Sequence, residues 1–152
     1  MKKLLSILLI GISTAFGQLD DNDIILDSID NVSLKFIGDD ENVKFRTITI
    51  KEAEVAKIEA IRFINTEVNI SKNHLKLKSG FEEYTKQYVG YTDEKGNDFI
   101  YINGFCNVFD GFESLKQNLL IVFDGGNCYF QMKIDLKTGK CVDFRVNGVA
   151  WI

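Results

Sequence analysis

The sequence predicts an α+β domain in which one N-terminal helix packs on a curved antiparallel sheet of about five strands in meander order. Three observations support this prediction. One stretch near residue 50 has helical periodicity, the chain beyond Gly80 alternates apolar with polar residues, and polar glycine-containing turns separate the alternating segments. A short hairpin can precede the helix. With 152 residues, the chain has room for one ordinary domain.

The N-terminus has the pattern of a secretory signal peptide. Lys2 and Lys3 make a short basic start, residues 4–12 are almost entirely apolar, and Ala15 and Gly17 supply small side chains before a cleavage point near Gly17/Gln18. The apolar run is shorter than the roughly 20 residues that span a bilayer, and no later segment approaches that length. We therefore expect residues 1–17 to be removed, a secreted or periplasmic location, and no membrane span.

The acidic residues are concentrated in one region. Residues 19–42 hold eight acids against Lys35, whereas residues 43–152 hold 15 bases and 14 acids, within a net charge of −4. We interpret residues 18–42 as a solvated acidic leader that can add an edge strand. Alternation in residues 32–36 and again in residues 43–48 predicts the short hairpin. The acidic balance argues against a nucleic-acid partner, because phosphate binding needs a surplus of Lys and Arg.

The helix is predicted from a local start signal. Thr49 and Glu52 have the spacing of a capping box, in which each side chain binds the backbone N–H of the other residue. A helix is expected over residues 50–65, with Lys57 in solvent and with a buried apolar stripe. The stripe consists of Val55, Ile58, Ile61 and Ile64.

Alternation after the helix predicts the sheet. The expected strands cover residues 84–91, 99–106, 119–123, 128–136 and 141–149. The helix would lie across their apolar face, giving a domain at residues 43–152 with a cystatin-like shape. Such a shape does not by itself imply a function.

Several turn and strand motifs resemble those of a group of small secreted bacterial proteins without assigned function. The motifs are DGGNCYF at residues 124–130 and VNGVA at residues 146–150, with further matches in residues 87–91 and 102–106. The resemblance implies export and an antiparallel sheet, and it implies no reaction.

The three cysteines are predicted to form no internal disulfide. In the expected meander Cys128 points inward opposite Phe123, and Cys141 points outward opposite Leu136 at the other end of the strand. Strand geometry would separate Cys128 and Cys141 by about 25 Å, whereas a bridge needs Cα atoms within about 7 Å. Cys106 would lie near Leu119, out of register with both Cys128 and Cys141.

No catalytic set is expected. His74 is the one histidine, there is no Gly-x-Ser-x-Gly elbow, and neither metal-ligand spacing nor a phosphate-binding or dinucleotide motif is present. We therefore predict no metal and no cofactor. The alternative function is a small extracytoplasmic hydrolase that uses Cys106 or a loop carboxylate pair. The candidate pairs are Asp110 with Glu113 and Asp93 with Glu94.

Aromatic residues point to binding. Of the 18 aromatic residues, 14 follow Gly80. If Thr92 pairs with Asn97, several aromatics share one face of the first hairpin, where they either pack the sheet or form a groove for an extracytoplasmic protein, peptide or glycan. The candidate ligand-binding residues are Tyr84, Tyr88, Phe99, Tyr101 and Phe105. The favoured function is an exported, non-enzymatic binding domain.

Overall fold

The computed structural model describes residues 17–38, 42–70, 76–106 and 112–148. These residues form a mixed α+β domain with one six-stranded sheet, so the predicted α+β class is confirmed. The strands are β1 (Asp23–Ile25), β2 (Lys44–Arg46), β3 (Thr85–Thr92), β4 (Asp98–Phe105), β5 (Tyr129–Asp135) and β6 (Lys140–Val146). The helices are α1 (Asn31–Gly38), α2 (Ile50–Phe63) and α3 (Phe112–Leu115). Most of the predicted signal peptide, together with His74 and Asp110, lies outside the described residues.

The sheet order differs from a simple meander at one edge. Strands β3, β4, β5 and β6 pair antiparallel in sequence order, but β1 and β2 both pair with the other edge of β3. Strand β1 runs parallel to Lys86–Tyr88, and β2 runs antiparallel to Gly90–Thr92. Gly90 allows β2 to approach, because a Cβ there would collide with the carbonyl oxygen of Arg46.

Two apolar layers cover the two faces of the sheet. The helix face lies under α2 and carries Tyr84, Tyr88, Ile100 and Phe130. The opposite face lies under α1 and under residues 112–124, which we call the strap. None of the helices in the described residues is both long enough and apolar enough to cross a membrane.

Helix α2 begins where the capping box predicts. The side chain of Thr49 accepts a hydrogen bond from the backbone N–H of Glu52 at 3.2 Å, and Oε2 of Glu52 accepts one from the backbone N–H of Thr49 at 2.8 Å. The helix ends at Phe63 and continues as a π-helical turn, Ile64–Val68.

The predicted buried stripe of α2 is wrong at Val55 and Ile58, whereas Ile64 is buried as predicted and Ile61 is partly buried against the core. Val55 is 45% exposed and Ile58 is 52% exposed, whereas the stripe at helical spacing that faces the sheet contains three alanines. The small side chains let the helix axis approach the aromatic residues of the sheet. The buried residues of that stripe are Ala53, Ala56, Ala60 and Ile64.

Glu52 also makes the stability of the helix start depend on pH. The hydrogen bond from Arg46, followed by the one from the Thr49 backbone, lowers the pKa of Glu52 from 4.5 to about 2. A carboxyl group with a lower pKa in the folded state stabilises fully above its unfolded pKa, and this contribution is lost as the pH falls from about 4.5 towards 2. In Glu52→Gln, we expect lower stability than wild type at pH 7 and a smaller difference near pH 2.5.

Urea unfolding of both proteins across this pH range measures the effect. Glu113→Gln is the control, because the Glu113 side chain is 83% exposed. A stability difference between wild type and Glu52→Gln that stays constant from pH 7 to pH 2.5 would contradict the prediction.

The acidic leader is part of the fold. The edge strand expected there is present as β1, but the prediction of a solvated leader is wrong, since Ile24 is 5% and Leu26 1% exposed.

Residues 32–36 lie in helix α1 and do not form one strand of the predicted hairpin. Oδ1 of Asp30 accepts hydrogen bonds from the backbone N–H groups of Val32 and Ser33, which is the geometry of an N-cap.

The expected strand at residues 119–123 is irregular and belongs to the strap. Strand β4 therefore pairs directly with β5, and Phe105 lies opposite Tyr129. This register brings the Cα atoms of Cys106 and Cys128 to 5.1 Å, and the two residues form a disulfide. The prediction of no internal disulfide is wrong because it placed an extra strand between them. Cys141 is a free cysteine.

Candidate functional site

The five predicted ligand-binding aromatics do not share one surface. Thr92 pairs with Asp98 instead of Asn97, so the β3–β4 register differs from the predicted one by a single residue. A side chain of the turn explains the difference, because Oδ1 of Asp93 accepts hydrogen bonds from the backbone N–H groups of Lys95 and Asn97. In a sheet, a shift by one residue moves a side chain to the opposite face.

Tyr84 and Tyr88 lie on the helix face and are fully buried. The Tyr84 hydroxyl donates to the carbonyl oxygen of Asn127 at 2.6 Å, and the Tyr88 hydroxyl donates to Oδ1 of Asp23 at 3.0 Å. Both rings belong to the core under α2, and neither reaches the surface.

Phe99, Tyr101 and Phe105 lie on the strap face. Phe105 is fully buried, and Phe99 stacks on Tyr91 with ring centroids 5.3 Å apart. Tyr101 is only 4% exposed, but it lines an open depression between α1 and the strap. Of the five candidates, Tyr101 alone lines this depression.

A row of amide side chains holds the strap on this face. Gln87, Asn103 and Gln131 lie opposite one another on β3, β4 and β5. Nε2 of Gln87 donates to the carbonyl oxygens of Leu115 and Asn118, both at 2.7 Å.

The same row also binds the middle of the strap. Oε1 of Gln87 accepts from the Leu120 N–H, and the Asn103 amide donates to the Leu120 carbonyl oxygen at 2.7 Å. The amides therefore supply the hydrogen bonds that an irregular buried backbone needs.

The space between α1 and the strap forms two adjoining depressions, which we call the strap groove. They have volumes of about 110 and about 140 Å³, and Phe36, Tyr101 and Gln131 line both. The rings of Phe36 and Phe123 meet edge to face above the groove, with centroids 5.8 Å apart. Phe36 is 43% exposed and Phe123 is 81% exposed, so the rim is aromatic and open to solvent.

Charged residues line one end of the strap groove. Lys133, Asp143 and Arg145 border the smaller depression, and Nε of Arg145 lies 3.0 Å from Oδ2 of Asp143. Asn147 and the strap border the other end. The groove thus combines exposed aromatic rings with amide and charged groups.

A second cluster of polar groups is buried under the helix face. Oδ2 of Asp23 accepts from Nζ of Lys57 at 2.7 Å, and the same nitrogen donates to Asp20 and to the carbonyl oxygen of Gln18, both at 2.8 Å. Lys57 is 2% exposed, contrary to the prediction that it lies in solvent. Burial opposes its charge, but the hydrogen bonds from its ammonium group to Asp20 and Asp23 raise its pKa.

Lys86 completes this cluster. Its Nζ atom is fully buried, lies 3.3 Å from Oδ1 of Asp23, and makes no hydrogen bond to the described residues. Burial lowers the pKa of Lys86, and burial together with the Asp23 charge raises the pKa of Tyr88. Because the Asp23, Lys57 and Lys86 side chains are shielded from solvent, the cluster binds β1 to the core, and of its four charged side chains only that of Asp20, 43% exposed, reaches the surface.

Two of the groups named for the alternative hydrolase have structural roles, whereas its pair Asp110 with Glu113 lies partly outside the described residues. The sulfur of Cys106 is bonded to Cys128, and Asp93 organises the β3–β4 turn. Burial raises the pKa of the remaining thiol, Cys141, to about 12. Within the described residues, no group of three His, Cys, Asp or Glu side chains could hold a metal ion.

Comparison with protein-family models, with curated proteins and with solved structures finds no match.

Phe36 and Phe123 were missed as candidate residues because the sequence placed both in strands. A local signal for Phe36 was present, since Asp30 can cap a helix in which Val32 and Phe36 share the solvent side. We find no comparable signal for Phe123, because its exposure depends on the distant contacts of the strap.

Proposed function

We propose that the protein is an exported, non-enzymatic interaction domain that binds an extracytoplasmic protein, peptide or glycan at the strap groove. The exposed aromatic pair Phe36–Phe123 above a groove with a polar floor is the observation that carries the proposal. Solvent-exposed apolar rings that adjoin polar groups are typical of recognition surfaces. The groove replaces the aromatic surface predicted on the first hairpin.

Export is part of the proposal. The signal-peptide pattern at residues 1–17, with cleavage near Gly17/Gln18, and the resemblance to small secreted bacterial proteins both favour it. The Cys106–Cys128 disulfide supports it, because such bonds persist in oxidising compartments.

Binding can be tested with a random-peptide display library and a glycan array, each probed with the purified oxidised protein. We expect enrichment of a peptide or glycan class that is lost in the double variant Phe36→Ser/Phe123→Ser. The control is Ile70→Ser, which removes an apolar side chain that is 75% exposed and does not line the groove. Equal binding of the enriched class by wild type and the double variant, with the fold retained, would exclude the strap groove as its binding site.

A further inference from the structure

Phe123 is presented to solvent on a fixed backbone. Nδ2 of Asn147 donates to the carbonyl oxygens of Val122 at 2.6 Å and Asp124 at 2.9 Å, on either side of Phe123. The N–H of Gly126 donates to the carbonyl oxygen of Gly148 at 2.9 Å. The backbone is thus held in place while the ring stays 81% exposed. The strap therefore displays a preorganised aromatic knob.

A matching hole lies on the same face. The smaller depression of the groove, about 110 Å³, is lined by Phe36, Ile37, Tyr101 and Gln131, and Phe123 of the same chain does not line it. An apolar cavity of about 150 Å³ holds a benzene ring. An open depression of slightly smaller volume suits the outer part of a phenyl side chain.

The charges beside the knob and the hole are complementary. Asp124 follows Phe123 directly and is exposed. Among the described residues that line the hole, the bases are Lys133 and Arg145, whose side chain is 60% exposed, and the acid is Asp143. The exposed carboxylate of Asp124 is therefore attracted to the basic end of the groove.

We propose that the hole accepts Phe123 of a second copy of this chain, with Asp124 against the Arg145 end, in a two-fold symmetric dimer. A two-fold interface requires a self-complementary patch, in which each copy supplies both halves of the contact. Knob and hole meet this requirement because they lie on one face, with Phe36 lining the hole and contacting the knob. This inference rests on the proposed function, since it names the partner of the strap groove.

The contact is small, so the dimer is expected to be weak and to dissociate on dilution. Sedimentation velocity of the purified oxidised protein over a concentration series measures it. We expect Phe123→Ser to raise the dimer dissociation constant roughly tenfold or more, because aromatic anchors dominate small interfaces. Ile70→Ser should leave the dissociation constant unchanged.

A charge-exchange experiment gives the sharper result. Asp124→Lys and Arg145→Glu should each weaken the homodimer, because each places like charges in contact. In an equimolar mixture, Lys at position 124 of one chain meets Glu at position 145 of the other, while the native Asp124 and Arg145 meet at the second contact. The mixture should therefore form a heterodimer about as stable as the wild-type dimer, with circular dichroism confirming the fold of each variant.

Two outcomes would overturn the dimer. One is a wild-type chain that stays monomeric at every concentration, and the other is a mixture that associates no better than the separate variants. A monomeric chain that still binds peptides or glycans through Phe36 and Phe123 overturns only the dimer. A monomeric chain that binds nothing in either screen overturns the proposed function as well.

Discussion

Asp23→Asn is expected to lower the free energy of unfolding by about 3–5 kcal/mol, the usual cost of removing one partner from a buried ion pair. The Asp23 side chain is fully buried and lies between two buried lysines, Lys57 and Lys86. Lys57 keeps Asp20 as a partner in the variant, but Lys86 loses its neighbouring charge. In a chain of this size the loss corresponds to a fall of roughly 10 °C in Tm.

Urea unfolding measures the effect, and Asp21→Asn is the matched control because Asp21 is exposed in the same segment. A companion variant separates charge from packing. Lys86→Met removes the buried ammonium group that Asp23→Asn leaves without its neighbouring carboxylate. Added to Asp23→Asn, it should recover much of the lost stability. A cost for Asp23→Asn as low as that of the control would disprove the role assigned to the cluster.

This cluster also marks a limit of prediction from sequence. The start of α2 was predictable because Thr49 and Glu52 interact locally. The buried side of α2 was not, because Lys57 can be buried only when Asp20 and Asp23, more than 30 positions away, supply oxygen atoms. The alternative stripe of large aliphatic residues had the same helical period, so periodicity could not choose between the two.

The predicted binding surface on the first hairpin is wrong because the observed β3–β4 register differs from the predicted one by one residue. The strands of the first hairpin were placed within one residue of β3 and β4. The predicted turn between them is one residue too short, because the sequence pattern does not show that the Asp93 carboxylate accepts a hydrogen bond from the backbone N–H of Asn97. That error joined Tyr88 to Tyr101 on one predicted surface, whereas the structure places them on opposite faces.

The Cys106–Cys128 disulfide is expected to stabilise the fold by about 3 kcal/mol, from the loop-closure entropy of a 22-residue separation. The double variant Cys106→Ala/Cys128→Ala should lose this amount in urea unfolding. Reducing agent should lower the wild type to the same level. Cys141→Ala is the control, since it leaves the bond intact.

Non-reducing mass spectrometry of the wild type should give a chain lighter by two hydrogen atoms than the fully reduced one, and the all-thiol mass would refute the pairing.

Loss of the bond is expected to leave the strap groove in place. Gln87, Asn103 and Asn147 hold the strap through side-chain hydrogen bonds that do not involve either cysteine. The double variant should therefore unfold more easily and still show the wild-type dependence of binding on Phe36 and Phe123. Limited proteolysis under native conditions distinguishes the alternatives. Cleavage within residues 112–124 at the wild-type rate indicates a strap held by the amides, whereas rapid cleavage there indicates a strap held by the disulfide.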